Sequence, residues 1–218
     1  MTLYKFLRAD LVSPYARHQW AKWEWLDVEG ELEMCKNGIH VCRPQDLVYW
    51  IDAELWEMET RGEVLQGGDK LCVRSARPLH RIETWHEKSA RLFTADCAED
   101  VLHIFEAYRP TDLRPREVIT AARRYAVGEI DAAALAAAGA TALTVVGDTA
   151  LTTAGAAAGD VARAAAGATA WAAAGPGDAA LAAAWATAGD AARRWQTARA
   201  RRWQTARLLG VLGIEAQP

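Results

Sequence analysis

Cys35, His40 and Cys42 lie close together in the chain and have side chains that can carry out chemistry. Thiolate sulfur and imidazole nitrogen are ligands of Zn²⁺, and Cys72 or His80 could complete such a site. The spacing is not that of paired Cys-x-x-Cys motifs, and a buried histidine among small apolar cysteines explains the same residues. A Cys/His nucleophile would need an orienting acid, which the sequence does not identify. We therefore predict no metal ion, no cofactor and no catalytic residue, and we favour a protein that is not an enzyme.

Trp20, Trp23 and Trp25 form a second candidate group, followed closely by acidic residues. Three tryptophans so near one another are typical either of a hydrophobic core or of the wall of a pocket. With His40 they give an alternative hypothesis, a binding site for a small ligand or nucleotide.

A Trp/Arg helix face is the third candidate. At 100° per residue, Trp185, Trp195 and Trp203 share one apolar stripe of a long helix, and the Arg-Arg-Trp-Gln-Thr-Ala-Arg motif occurs twice there. The tryptophans could belong to the core of a bundle, but Trp and Arg are also enriched at binding hot spots. The predicted partner-binding residues are Trp185, Arg194, Trp195, Arg199, Arg201, Arg202 and Trp203.

Asp112, Arg114, Arg116 and Glu117 form a charged group at a predicted connection between two helices. These residues could build a site, but ion pairs and caps that hold the connection explain them equally simply. We favour the structural interpretation.

The elements that position these residues change in character along the 218-residue chain. The first half predicts strands at 3–7, 39–42, 53–60, 70–75 and 79–82, with a short helix from Pro44. A helix is predicted at 85–108, with Thr84 as its cap. One side of it carries Phe93, Cys97, Val101, Ile104 and Tyr108. A second helix is predicted from Pro115 to Gly128. Half of residues 131–192 are alanine, the best helix former, which predicts close-packed helices near 130–146, 148–174 and 178–209. The fold class is therefore α+β: a small mixed α/β domain at 1–83, an Ala-rich all-α bundle at 84–212 and a disordered tail at 213–218.

The charge and hydropathy of the chain limit its expected location and its expected binding partners. The net charge is −3, but residues 1–64 hold seven basic and twelve acidic side chains, whereas six arginines and no acid occupy 193–207. We expect a cytoplasmic protein without a membrane span and without nucleic-acid binding. Ala-rich helices could also pack between two copies, so a homo-oligomer is a further hypothesis.

Two families resemble parts of the sequence. Residues 20–82 resemble an uncharacterised small domain of phage and bacterial proteins through Cys35, Gly38, His40, Pro44, Asp46, Gly68, Asp69 and Lys70. Residues 85–212 resemble a helical family of immunity proteins of bacterial toxin systems. The matching residues are Cys97, Ala98, Glu99, Val101, Leu102, Glu106, Asp112, Arg114, Pro115, Arg116, Ile119, Ala122, Arg123, Tyr125, Gly128 and Glu129. The second resemblance implies a protein that neutralises a protein partner, either a toxin or a defence component, as an immunity or phage counter-defence factor would.

Overall fold

The computed structural model describes residues 1–148 and 198–215. Antiparallel strands fill the N-terminal half and helices follow, so the protein is α+β. The chain divides into two compact units, one comprising Met1–His86 with Arg202–Pro218 and the other comprising Glu87–Arg201. Each unit is described separately below.

Five strands of the first unit pair in antiparallel fashion. They are β1 (Leu3–Leu7), β2 (Leu26–Asp27), β3 (Ile39–Val41), β4 (Glu54–Gln66) and β5 (Leu71–Arg81). β1 pairs with β4, β4 pairs with β5, and β5 pairs with both β2 and β3. Tyr4 and Cys42 exchange two backbone hydrogen bonds of 2.9 and 2.7 Å, which join the end of β3 to β1. The circuit of strands therefore closes through β1, β4, β5 and β3.

One strand, β5, replaces the two strands predicted at 70–75 and 79–82. Pro78 lacks a backbone N–H, which normally confines proline to sheet edges and bulges. Here the register between β4 and β5 shifts beside Met58, which is opposite Pro78. The Pro78 carbonyl accepts the Trp23 N–H at 3.0 Å. Because the irregular pairing accommodates the ring, the strand continues through the proline.

One apolar cluster of this unit joins residues from several strands. Its buried members are Leu3, Leu7, Trp20, Ile39, Val41, Trp56, Met58, Leu71, Val73 and Ala76. They come from four strands and from the segment before β2, so the core depends on contacts between distant parts of the chain. The predicted short helix is confirmed as a 3-10 helix at Pro44–Tyr49, which buries Leu47 and Val48.

Helix α4 (Ala198–Leu212) falls in the first unit from Arg202 onward, and residues 198–201 fall in the second. Leu208, Leu209 and Leu212 are buried. Gly213 has a φ of 68°, and the Ile214 N–H donates to the Leu209 carbonyl at 3.0 Å. This left-handed glycine and the back-folded hydrogen bond form a Schellman motif, which ends the helix.

The predicted N-cap at Thr84 is wrong. Its hydroxyl donates instead to the Leu212 carbonyl at 2.8 Å, which satisfies an acceptor left free at the end of α4. Residues 82–85 form a turn instead, in which the Trp85 N–H donates to the Ile82 carbonyl. Helix α1 begins only at Glu87.

The second unit begins with three helices, α1 (Glu87–Tyr108), α2 (Arg114–Ala126) and α3 (Ala132–Asp148). One apolar cluster joins the three helices through Ala95, Ala98, Leu102, Val118, Ile119, Ala122 and Leu135. The sequence placed Phe93 and Tyr108 on one buried side of α1. Phe93 is buried, but Tyr108 is 39% exposed. The buried side of α1 is formed by residues such as Ala95, Ala98 and Leu102.

Sequence signals set the ends of these helices. Pro115 occupies the first turn of α2, as predicted, and Gly128 follows its end with a φ of 80°. The Asp131 side chain accepts the Ala134 N–H at 2.8 Å and caps α3. The predicted helix at 148–174 and most of the one at 178–209 lie outside the described residues.

Candidate functional site

The charged group at the α1–α2 connection holds the two helices together. Both side-chain oxygens of Asp112 accept hydrogen bonds from Arg114, at 2.8 and 2.6 Å. Arg116 pairs with Glu106 of α1 at 2.5 Å. The hydrogen bonds from Arg114 hold the pKa of Asp112 below its ordinary value. These contacts match the structural interpretation made from the sequence.

Arg123 is the centre of a larger network between the same helices. One of its nitrogens, Nη2, donates to Asp96 at 2.6 Å and to Glu99 at 2.5 Å. The bond to Glu99 raises the pKa of Arg123 and lowers that of Glu99. Arg91 lies over the Tyr125 ring, with its guanidinium carbon 4.6 Å from the ring centre. The arginines of this unit thus brace α1 against α2.

The predicted partner-binding face is described only in part. Trp185, Arg194 and Trp195 lie outside the described residues, and Arg199 and Arg201 are placed in α4 without a description of their side chains. Arg202 is exposed and Trp203 is half-buried.

The buried side of α4 is not the side that carries Trp203. At 100° per residue, Trp203 lies roughly 120–180° around the helix from each of the three buried leucines. Ala206 and Arg207, which neighbour Trp203 on this face, are both exposed. The three leucines therefore form the buried side of α4, whereas Trp203 and Arg207 lie on another side.

The four residues of the alternative pocket have separate surroundings. Trp20 is buried in the core and donates from Nε1 to the Ser13 hydroxyl at 2.8 Å. Trp23 is 46% exposed and meets the His80 ring edge-on, with 5.0 Å between ring centres. His40 lies on β3, where its Nε2 accepts the Cys35 N–H at 3.2 Å.

Trp25 lies between two guanidinium groups. The guanidinium carbons of Arg61 and Arg77 are 4.1 and 4.7 Å from its ring centre. Arg61 also pairs with Asp27 at 3.0 Å, and Arg77 pairs with Glu59 at 2.7 Å. The ring therefore bridges β2, β4 and β5 by cation–π contacts.

Two lysines that the sequence did not single out, Lys5 and Lys70, lie near β3, the strand that pairs with β5 and is joined to β1 through Cys42. Lys5 of β1 donates from Nζ to the His40 carbonyl at 2.7 Å, and its Nζ is 6.0 Å from the Trp20 ring centre. Lys70, just before β5, has its Nζ 4.2 Å from the Trp50 ring centre. The sequence does contain a signal for this position, the lysine in Leu-Tyr-Lys-Phe-Leu. Because side chains alternate along a strand, Lys5 lies on the same side as Leu3 and Leu7.

The electrostatics of this group are unusual. Burial, followed by repulsion from Lys70, lowers the pKa of Lys5 to about 8. Burial and the charges of Lys70 and Lys5 also lower the pKa of His40, so its imidazole is mainly neutral at pH 7. Burial raises the pKa of Cys42 to about 12, so this thiol stays protonated.

The cysteines and histidine considered for zinc do not assemble in the described part of the chain. Within residues 1–148 and 198–215, no three His, Cys, Asp or Glu side chains gather as they would around a metal ion. Cys72 faces the Asn37 carbonyl, 3.6 Å from its sulfur, and His40 already accepts a backbone hydrogen bond.

Antiparallel strands followed by helices braced through arginine–carboxylate pairs define the architecture of this α+β protein. The family model described as Imm-5 like putative immunity protein matches residues 80–210. That match spans more than half of the chain, and the protein belongs to this family. No curated protein and no solved structure matches the chain.

The resemblance of the helical part to immunity proteins is thus confirmed, whereas that of 20–82 to a phage domain stays a prediction. None of the helices in the described ranges combines the length and the apolar character that crossing a bilayer requires.

Proposed function

We propose that this protein is a non-catalytic immunity protein of the cytoplasm, which binds a protein toxin or a defence component and neutralises it. The family match over 80–210 is the observation that carries the proposal. A protein that acts by binding needs a rigid scaffold and an exposed surface that the scaffold does not use.

The described helices supply the scaffold. Arg123 links α1 to α2 through Asp96 and Glu99, and the buried core of the second unit is built around alanines, which lets the helices approach closely. Such bracing keeps the helix surface in one shape before binding, which lowers the entropic cost of association.

The face of α4 that carries Trp203 is the surface we propose for the partner. It lies away from the buried leucines, and Arg207, one turn further along this face, is exposed. The segment 193–207 contains six arginines and no acidic residue. We therefore infer that the partner presents an acidic surface with an apolar contact for the indole ring, since opposite charges speed association and select partners.

The test uses the full chain as bait and a triple charge reversal around the Trp203 face, Arg199→Glu, Arg202→Glu and Arg207→Glu. Wild-type protein should capture a specific protein whose expression alone stops growth, and co-expression of the wild type should restore growth. The reversed variant should lose both capture and rescue, because its surface now repels an acidic partner.

A matched control reverses three exposed basic residues elsewhere, Arg17→Glu, Lys36→Glu and Lys88→Glu. This variant changes the net charge by the same amount and should keep both capture and rescue. Equal loss in both variants would show that net charge, and not this face, controls binding. Rescue that survives the α4 reversal would contradict the proposed surface, and a captured protein without effect on growth would contradict neutralisation.

A further inference from the structure

One side of α2 faces away from the apolar cluster of the second unit along its whole length. Val118, Ile119 and Ala122 lie on the buried side and belong to that cluster. At 100° per residue, five residues of α2 and its flanks lie within about 40° of one line on the opposite side, and all of them are exposed. This line, the α2 stripe, consists of Leu113, Glu117, Thr120, Arg124 and Val127.

Two apolar side chains mark the ends of the α2 stripe. Leu113 is 53% exposed and Val127 is 46% exposed. Leu113 occupies the position before α2 where Ser, Thr, Asp or Asn usually accepts a backbone hydrogen bond, and its side chain makes no such bond. Asp112 accepts the Arg114 N–H instead, at 3.2 Å. Neither burial nor side-chain capping therefore explains the two apolar residues, which lie about 21 Å apart along the helix.

Two charges of opposite sign lie between the apolar ends. Glu117 and Arg124 are seven residues apart, which puts them on one side of the helix but too far apart to pair with each other. The neighbouring Arg116 pairs with Glu106 of α1 at 2.5 Å, and in the described part of the chain no basic side chain pairs with Glu117. Arg124 pairs through Nε with Glu129 at 3.2 Å, but both side chains are more than half exposed, and the two Nη groups remain for another acceptor. The α2 stripe therefore offers one carboxylate and one guanidinium to solvent.

The order of these residues is complementary to itself when it is reversed. In two antiparallel copies of α2, Leu113 lies opposite Val127 of the second copy, and Glu117 lies opposite Arg124 of the second copy. Thr120 then lies opposite its own equivalent, on a two-fold axis between the helices. Because each contact occurs twice about such an axis, this arrangement contains two apolar contacts and two ion pairs.

We propose that the α2 stripe joins two copies of this protein into a symmetric dimer with antiparallel α2 helices. Charge selects this arrangement, since a parallel one would place Glu117 against Glu117 and Arg124 against Arg124. One helix side is smaller than the roughly 800 Å² per partner of a typical stable interface, so the dimer dissociates on dilution. The dimer does not depend on the proposed toxin or defence partner, because the α2 stripe and the Trp203 face belong to different helices.

Sedimentation velocity of the full-length protein alone, over a wide concentration range, tests the dimer. The wild type should shift from monomer to dimer as its concentration rises. Glu117→Arg puts two arginines together at both symmetric contacts, and Arg124→Glu puts two glutamates together there, so each variant should dimerise at least about tenfold more weakly. A wild type that stays monomeric, or single variants that dimerise as well as the wild type, would overturn the proposal.

Exchange of the two charges distinguishes this pairing from a general effect of charge. The double variant Glu117→Arg/Arg124→Glu has the wild-type net charge and a reversed ion pair at each contact, so it should recover dimerisation. A mixture of the two single variants should form a heterodimer, because the arginines of one copy then meet the glutamates of the other. Since only folded subunits form this heterodimer, the mixture also shows that the single variants fold. A double variant as weak as either single variant, or a mixture that stays monomeric, would contradict the antiparallel pairing.

A matched control and an apolar substitution complete the test. Lys88→Glu changes the net charge as much as Arg124→Glu does, but Lys88 is exposed on α1, outside the α2 stripe. This control should leave dimerisation unchanged, and an equal loss would overturn the proposal. Leu113→Ser removes an apolar contact at both ends of the interface and should weaken dimerisation at least about threefold. Undiminished dimerisation of that variant would contradict the alignment of Leu113 with Val127.

Discussion

The two units of this protein differ in how much alanine their apolar clusters contain and in how far apart in the chain the clustered residues lie. In the first unit, large side chains such as Trp20, Trp56 and Met58 share one cluster with residues of strands that are far apart in the chain. In the second unit, Ala95, Ala98 and Ala122 occupy the centre of helices that follow one another directly.

The difference predicts opposite sensitivities to mutation. A core of large rings loses many contacts when one side chain is truncated, and the gap left behind is difficult to fill. The buried alanines of the second unit have little to lose by truncation, but their sites have no room for a larger side chain. Four predictions test this comparison, beginning with the largest effect.

Truncation in the first unit should have the largest effect. Trp85 is 1% exposed, its Nε1 donates to the Asp52 carbonyl at 2.8 Å, and its ring meets Phe6 at 5.6 Å. Trp85→Ala should lower the free energy of unfolding by about 3–5 kcal/mol, measured by urea denaturation. Trp23→Ala removes the same side chain from a site that is 46% exposed and should cost much less. Similar losses in both variants would contradict the assignment of Trp85 to a tightly packed core.

Enlargement in the second unit should come next. Ala98 on α1 is 4% exposed, so Ala98→Leu must displace its neighbours and should destabilise the protein by about 1–3 kcal/mol. Ala107 lies on the same helix and is exposed. Ala107→Leu should therefore change stability by less than about 0.5 kcal/mol. If both substitutions were tolerated in thermal unfolding, the close packing of these helices would be wrong.

Substitutions at two glycines near the end of α4 distinguish the effect of backbone conformation from the effect of packing. An added Cβ at Gly210 or Gly213 would meet nothing within 4 Å, but only Gly213 has a positive φ, at 68°. Gly213→Ala should destabilise the protein by about 1 kcal/mol, because alanine is strained in the left-handed region. Gly210→Ala should stabilise it by up to about 1 kcal/mol through helix propensity. The difference between their denaturation midpoints is the measurement, and midpoints in the reverse order would contradict the proposed helix end.

The smallest effect should be the pH dependence of the second unit. Because the hydrogen bond from Arg123 lowers the pKa of Glu99, the folded state holds this carboxylate ionised more strongly than the unfolded state does. The resulting stabilisation is complete above the unfolded pKa of about 4.3 and is lost as the pH falls through the lower folded pKa. Arg123→Gln should therefore lose less stability than the wild type between pH 5 and pH 3. Arg124→Gln, whose partner is the exposed Glu129, is the matched control and should follow the wild type.

The sequence predicted local elements well where local signals define them. The strand at 3–7, the short helix from Pro44, and the helix between Pro115 and Gly128 all depend on side-chain alternation or on proline and glycine. The predicted inward positions Val118, Ala122 and Tyr125 of α2 are confirmed, because a helical period places them on one face.

The structure differs from the prediction where a residue is compatible with more than one local structure. Pro78 suggested a break, but a register shift lets β5 continue through it. Thr84 has the chemistry of a helix cap, yet its hydroxyl satisfies the carbonyl of Leu212, which is remote in the chain. No local pattern could indicate that partner.

The sequence by itself determined most of the strands and helices, several of their ends and the family to which the helical part belongs, because propensity, periodicity and short motifs act over a few residues. Only the tertiary structure decided that the C-terminal part of α4 falls in the same unit as the strands, that Trp20, Trp23 and Trp25 have different surroundings, and that Lys5 donates to the His40 carbonyl. Those outcomes depend on contacts between distant segments, whose free energies exist only once the chain has folded.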